Sequence, residues 1–305
     1  MLDGTSRRGA LKCLGLGAGT VFTLSGGILR AAALAEAATQ KSQDTPLFVQ
    51  ISDSHIGFNK EANPDVVGTL NRAIDLANAL PVRPAFVIHT GDVTHLSKAE
   101  EFDTAQQLLK RLRVSELHVV PGEHDVTDGA GAEFFARFGK PSNGRGWYAF
   151  DAHGVHFIAL VNVMHFRVGG LGALGDDQFA WLKDDLAGRS ASQPVVVFAH
   201  MPLWTIYEPW GWGTAEANEI AGLLARFGSV TVLNGHIHQI VQKVEGNITF
   251  HTARSTAYPQ PAAGDGPGPG PLKVPADRLL NMLGVTTVGV AGKAGPVSLA
   301  DSTLA

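Results

Sequence analysis

From residue 46 onward the chain alternates short, nearly all-apolar runs with longer stretches whose apolar residues recur every three or four positions. The short runs (47–51, 85–89, 117–120, 155–161, 195–199 and 230–233) lack polar alternation, which predicts strands covered on both faces. Asn63-Pro64 predicts a helix start, with Asn as cap and Pro in the first turn; Val66, Val67, Leu70, Ile74 and Ala77 fall on one face of that helix. Ser97-Lys98-Ala99-Glu100 reads as a capping box opening a helix that runs to about Leu112. Further helices fit 176–186 and 214–227. The stretch 259–275, with six Pro and four Gly, predicts an extended loop, and 282–290 a last strand. The order implies a layered α/β architecture in one domain, residues 46–258, with 259–305 packing on it as loop and strand.

The start of the chain breaks this pattern. Ser6-Arg7-Arg8-Gly9-Ala10-Leu11-Lys12 precedes an uncharged run (13–29), then Arg30 and a small-residue stretch (31–38). A basic start, an apolar middle and a small-residue cleavage site make residues 1–35 a secretory signal. The run is Gly-rich and about 17 residues long, short for a membrane span. The paired arginines resemble the twin-arginine type of signal, with Ala10 where that consensus prefers Phe. That resemblance implies passage through the export machinery for folded proteins, to the periplasm or outside the cell. Residues 1–35 hold four basic residues and one acid, so a chain of net charge −4 becomes −7 without them. They also hold the only cysteine, Cys13, so no thiol ligand or disulfide remains. An acidic body argues against non-specific nucleic-acid binding, which depends on Lys and Arg neutralising phosphates.

All 12 histidines lie between His55 and His251, which turns attention to metal chemistry. The predicted strands end on Asp53-Ser54-His55, Gly91-Asp92, Gly122-Glu123-His124-Asp125, His200 and Gly235-His236-Ile237-His238. In open α/β sheets ligands gather beyond the carboxyl ends of strands. Mixed imidazole and carboxylate sets suit zinc, iron and manganese. The D-x-H and H-x-H spacings place alternate side chains on one side of an extended segment, and Gly91, Gly122 and Gly235 let the backbone turn tightly beside an ion.

Taken together, these segments resemble the calcineurin-like metallophosphoesterases, whose pattern is D-x-H, G-D, G-N-H-D, H and G-H-x-H, over residues 46–251. The stretch 175–186, with Gln178, Trp181 and Leu182, is similar to the branch containing bacterial cyclic-nucleotide phosphodiesterases and glycerophosphodiesterases. The resemblance implies a four-layer α-β-β-α sandwich of two mixed sheets flanked by helices, with two metal ions at one end. It places Asp53, His55 and His238 on the first ion, Asp92 between the two, and Glu123, His200 and His236 on the second. His124 becomes a hydrogen-bond donor or general acid for the leaving group, oriented by Asp125. Two ions in such a set clamp phosphate oxygens and lower the pKa of a shared water. The implied reaction is hydrolysis of a small phosphoester.

Glu123 departs from the family's Asn. It binds through one oxygen and changes little, or it adds a negative charge, or it impairs the second site. The added charge favours a pair of Fe, Mn or Zn ions that contains Fe(III), and a phosphodiester over the more highly charged monoester. The alternatives are an acid-phosphatase-like phosphomonoesterase and a non-catalytic metal- or phosphate-binding protein. Among lesser candidates, His95 stands where the purple acid phosphatase branch places a metal-binding Tyr, and reads as a ligand or as a hydrogen-bonded loop residue. His165 is a candidate for the site rim. His89, His118, His153, His156 and His251 read as structural or exposed, and Ser54 as a support for its turn. The aromatic stretch 204–214 reads as a packed loop or a substrate-facing lid.

Overall fold

The structure, a computed structural model, describes residues 20–25, 28–33, 48–142, 144–290 and 297–305, and its larger unit is built on two stacked sheets, each carrying helices on its outer face. Residues Met1–Asp44 form a unit of their own, in which β1 (Thr20–Ser25) and β2 (Ile28–Ala33) pair antiparallel. The arginine pair of the predicted export signal lies outside the described residues. Among the described residues, no helix is long and apolar enough to cross a membrane.

Thr45–Ala305 is a single unit. Its first sheet contains β3 (Phe48–Ile51), β4 (Phe86–His89) and β5 (Glu116–Val119) in parallel, extended antiparallel by β14 (Gly284–Val290) and β15 (Val297–Thr303), in the order β15-β14-β3-β4-β5. The second sheet runs β12-β13-β11-β10-β7-β6. There β7 (Val155–Ala159), β10 (Val195–Phe198), β11 (Val230–Asn234) and β13 (Ile248–Thr252) are parallel, while β6 (Tyr148–Ala152) and β12 (Gln242–Glu245) are antiparallel edges. A short pair, β8 (His165–Phe166) and β9 (Gly172–Ala173), stands apart from both.

Side chains alternate across each strand, and this period of two divides the apolar residues among three cores. Val49, Ile51 and Val87 face outward onto α1 (Val66–Asn78), α2 (Ala99–Leu109) and α3 (Ala132–Phe138). Phe48, Phe86, Ile88, Phe157, Val196 and Phe198 fill the space between the sheets. Val195, Val197, Val230 and Val232 meet α4 (Asp176–Ala187) and α5 (Ala217–Leu224). Because both faces of the central strands are covered, the expected four-layer α-β-β-α sandwich is the observed one.

Local expectations fail where one side chain has a competing partner. Asp65, not Asn63, caps α1, accepting from the Gly68 N–H at 2.8 Å, while Asn63 accepts from the Asp65 N–H and donates to the Ala257 carbonyl. Val67 points to solvent, and Thr69 and Ala73 take the buried face. The capping box at Ser97 does not form. Ser97 has φ 55°, and its hydroxyl donates to the His124 carbonyl at 2.7 Å instead. The helix that follows ends at Leu109, and α5 covers only Ala217–Leu224 of the span 214–227. The final strand gains an unforeseen partner in β15, and the sequence pattern also missed α3 and α6 (Ala276–Met282).

Gln178 on α4 is buried and serves both backbone groups of Val161. It accepts from the Val161 N–H at 2.7 Å and donates to the Val161 carbonyl at 2.6 Å. The chain leaves the carboxyl end of β7 there, with no strand partner for either group. Gln178→Leu keeps the volume but orphans a buried donor and acceptor, and chemical denaturation should show a loss of about 3 kcal/mol. A loss below about 0.5 kcal/mol contradicts this role.

Candidate metal centre

Five loops deliver the candidate ligands, each leaving the carboxyl end of a parallel strand: β3, β4 and β5 from one sheet, β10 and β11 from the other. The segments are not extended, as the spacing had suggested. Asp53, His55, Asp92, His236 and His238 all have φ between 40° and 70°, and they are five of the seven non-glycine residues with positive φ among the described residues. A Cβ is disfavoured in that region by about 1 kcal/mol or more per residue, so the surroundings must hold each turn in place. Backbone bonds do part of this: the Asp53 N–H donates to the Gly91 carbonyl at 3.0 Å and the His55 N–H to the Asp92 carbonyl at 2.9 Å. Gly122 and Gly235 give clearance rather than a left-handed turn. A Cβ on Gly122 would sit 2.0 Å from Asp92 Oδ1, and one on Gly235 would sit 2.5 Å from Asp53 Oδ2.

The side chains gather in two clusters joined by one carboxylate. In the first, His238 Nε2 lies 3.3 Å from Asp53 Oδ1 and 3.2 Å from His55 Nε2. In the second, Glu123 faces His200 Nε2 at 2.8 Å and His236 Nδ1 at 3.0 Å. Asp92 Oδ2 stands 3.4 Å from both His55 Nε2 and His200 Nε2. All seven residues expected at the metal site therefore converge.

The donor set fits cations. Glu123 Oε2, His200 Nε2 and His236 Nδ1 are buried and make no hydrogen bond of proper geometry, although they face one another. Buried polar atoms left in this state are rare and costly, and a shared ion satisfies them together. The histidines are fixed from behind: His200 Nδ1 donates to the Thr90 carbonyl at 2.7 Å and His238 Nδ1 to the Tyr258 carbonyl at 2.6 Å, which turns each Nε2 toward the carboxylates. Burial opposes protonation of His200, yet Asp92 and Glu123 raise its pKa well above the usual value, and a cation would take the place of that proton. His55 is backed by another imidazole, with His95 Nδ1 3.4 Å from its own Nδ1. Electrostatics agree. Burial opposes ionisation of Asp53, yet His238 and His200 bring its pKa down to about 2. Burial also opposes ionisation of Glu123, and His236 and His200 hold it well below the usual carboxylate range. Burial and the neighbouring His238, His124 and His95 keep His55 neutral, its pKa well below the usual value.

His124 lies at the rim, stacked on His95 with ring centroids 4.9 Å apart. Its orientation comes from the His95 carbonyl, 2.7 Å from Nδ1, and not from Asp125 as expected. Asp125 turns away to accept from the N–H groups of Gly122, Val93 and Thr94 and from the Thr94 hydroxyl, tying the Asp92 and Glu123 loops together. Glu123–Asp125 is a 3-10 turn, in which neighbouring side chains diverge by about 120°. Ser54 supports its turn, donating to the Val93 carbonyl. His165 is exposed on β8. The aromatic loop closes on itself, with Trp212 buried and Trp210 edge-on against it at 5.0 Å. His156 is held between Asp151 and Asp185, and His251 bonds Asp301, so both have structural partners of their own.

Sequence reasoning missed Tyr258. Its hydroxyl lies 3.2 Å from His55 Nε2, and its ring stacks on His55 at 4.8 Å. The segment carrying it leaves the carboxyl end of β13, a sixth parallel strand that delivers a residue to the site and that the hydrophobic pattern did not reveal. That strand was the available signal.

Residues 46–240 match the family model described as calcineurin-like phosphoesterase. A probable glycerophosphodiester phosphodiesterase of Arcobacter nitrofigilis is 26% identical over 70% of this chain and 79% of its own length. A glycerophosphodiester phosphodiesterase of Enterobacter lignolyticus is 28% identical over the same shares. A serine/threonine-protein phosphatase of Bos taurus is 27% identical over 55% of this chain and 58% of its own. Among solved structures, a dimetal phosphatase from Danio rerio superposes with TM-score 0.62 at 14% identity, covering 86% of this chain and all of that one. A purple acid phosphatase from yellow lupin superposes with TM-score 0.64 at 13% identity, covering 86% and 52%. With the family model spanning well over half of its length, the chain belongs to the calcineurin-like phosphoesterase family.

Proposed function

We propose that this metal-dependent phosphoesterase is exported and hydrolyses small organic phosphodiesters. The observation that carries the reading is the pair of ligand clusters joined by Asp92, with the Glu123 carboxylate inside the second. Asp53, His55 and His238 would hold one ion and Glu123, His200 and His236 the other, with Asp92 shared. The chemistry such a pair supplies when bound is polarisation of phosphoryl oxygens and a lowered pKa for bound water. The His95 carbonyl fixes the proton of His124 on Nδ1, so Nε2 is free to carry a second proton to the departing alkoxide. Asp92 helps to fix the turn carrying that imidazole by accepting from the His124 backbone N–H at 2.9 Å.

Glu123 distinguishes this site from the family's Asn pattern. Its extra charge favours a pair that includes a trivalent ion, iron beside manganese or zinc. It also lowers the attraction for a dianionic monoester more than for a monoanionic diester. The two diesterase relatives support the same choice. The phosphatase relative keeps a monoesterase as the second reading. A non-catalytic binding protein finds less support, because Glu123 reaches into the second cluster instead of blocking it.

Turnover of bis-p-nitrophenyl phosphate should exceed that of p-nitrophenyl phosphate on metal-loaded protein and vanish after chelation. Glu123→Asn should shift the ratio toward the monoester by about tenfold, as removal of one nearby charge allows. A clear monoester preference in the wild type ends the diesterase reading, and a dead wild type revived by Asn supports the binding protein. Export has its own test. Replacing Arg7 and Arg8 by Lys should leave the full-length protein in the cytoplasm of a host with twin-arginine transport, and unimpaired export refutes that signal.

A further inference from the structure

Tyr258 directly precedes the Pro/Gly-rich stretch, yet it reaches the centre of the first cluster. Its side chain is 3% exposed. Around His55 Nε2 stand His238 Nε2 at 3.2 Å, Asp92 Oδ2 at 3.4 Å and Tyr258 Oη at 3.2 Å. The phenol ring packs on His55 and, at 4.4 Å between centroids, on Phe58. Its backbone carbonyl holds His238 from behind. Everything except the hydroxyl would be preserved by a phenylalanine.

A buried hydroxyl needs a hydrogen-bond partner. Here the partner of Tyr258 Oη is His55 Nε2, the atom that the proposed ligand set assigns to the first cation. His55 Nδ1 lies against His95 Nδ1, so Nε2 is the nitrogen that points at the carboxylates. A lone pair given to an ion no longer accepts a proton, and the Tyr258 O–H then needs another acceptor in the same place. Resting on the ligand set proposed above, we propose that Tyr258 is a substrate-contacting residue, its hydroxyl donating to the phosphoryl oxygen that sits at the first cation. Two nearby groups hold it on target. Gln260 Nε2 donates to the His236 carbonyl at 2.9 Å, and Gln239 Nε2 donates to the Pro261 carbonyl at 2.6 Å, pinning the chain that follows Tyr258 onto the His236–His238 turn.

Tyr258→Phe tests this with two readouts on manganese- or zinc-loaded protein: metal content, and binding of inorganic phosphate by calorimetry. The expected result is two ions per chain, as in the wild type, with phosphate bound about tenfold more weakly, the effect of losing one hydrogen bond to a charged group. Diester turnover should fall with it. Wild-type phosphate affinity in the Phe variant overturns the role. So does loss of the first ion, which would make Tyr258 a support for the ligands rather than a contact for substrate. A wild type that binds fewer than two ions is a separate failure, because it removes the ligand set itself and this role with it.

Discussion

Three carboxylates, Asp53 and Asp92 out of water and Glu123 half-buried beside them, share one small space, and that single electrostatic constraint organises the molecule. Asp53 is 0% exposed and Asp92 2%. Like charges buried this close are strongly unfavourable unless compensated. Four imidazoles converge on them, and three of those are oriented from behind by a carbonyl or another imidazole, so that Nε2 of each points inward. Such an arrangement compensates the carboxylates through imidazoles and is also a set of ligands for cations. The pKa shifts divide: the carboxylates are held ionised and His55 neutral, while Asp92 and Glu123 overcome burial and raise His200 well above the usual imidazole value, a proton that a bound cation would replace.

The sandwich exists in this form because neither sheet alone supplies the set. One gives Asp53, His55, Asp92 and Glu123, the other His200, His236 and His238. They must meet at their carboxyl ends in fixed register, and a buried polar seam secures that. Gln50 on β3 donates to the Thr90 hydroxyl at 3.0 Å and to the Asn234 carbonyl at the end of β11 at 3.1 Å. Asn234 in turn donates to the carbonyls of Ala199 and Met201. The Gln50–Asn234 bond crosses between the two sheets and the others anchor its two ends, so a slip of one sheet past the other would break the seam and the centre together. The left-handed turns at five ligands are tolerable only within such a frame.

Much of this was legible in the sequence, for a physical reason. Strands β3, β4, β10 and β11 are covered on both faces, so each reads as a nearly all-apolar run, and the ligands follow soon after it. Of the strands that escaped notice, β12 is mostly exposed, β15 mixes exposed and half-buried positions, and β13, though mostly buried, alternates apolar and polar residues (Ile248-Thr249-Phe250-His251) and so reads as no apolar run. Losing sight of β13 meant losing Tyr258. Adjacency in the chain also misled at Asp125, since a residue beside His124 in a tight turn points elsewhere. Ser97 has a cap's chemistry but a left-handed backbone, a conflict that depends on the His124 carbonyl more than twenty residues away and so lies beyond any local pattern.

The account depends on two cations sharing Asp92. Anomalous diffraction from crystals of the metal-reconstituted protein, recorded at the absorption edge of the metal supplied, tests this most directly. Two peaks should stand either side of the Asp92 carboxylate, one among Asp53, His55 and His238 and the other among Glu123, His200 and His236. No peak, or a single peak with Glu123 turned away from His200 and His236, would contradict it.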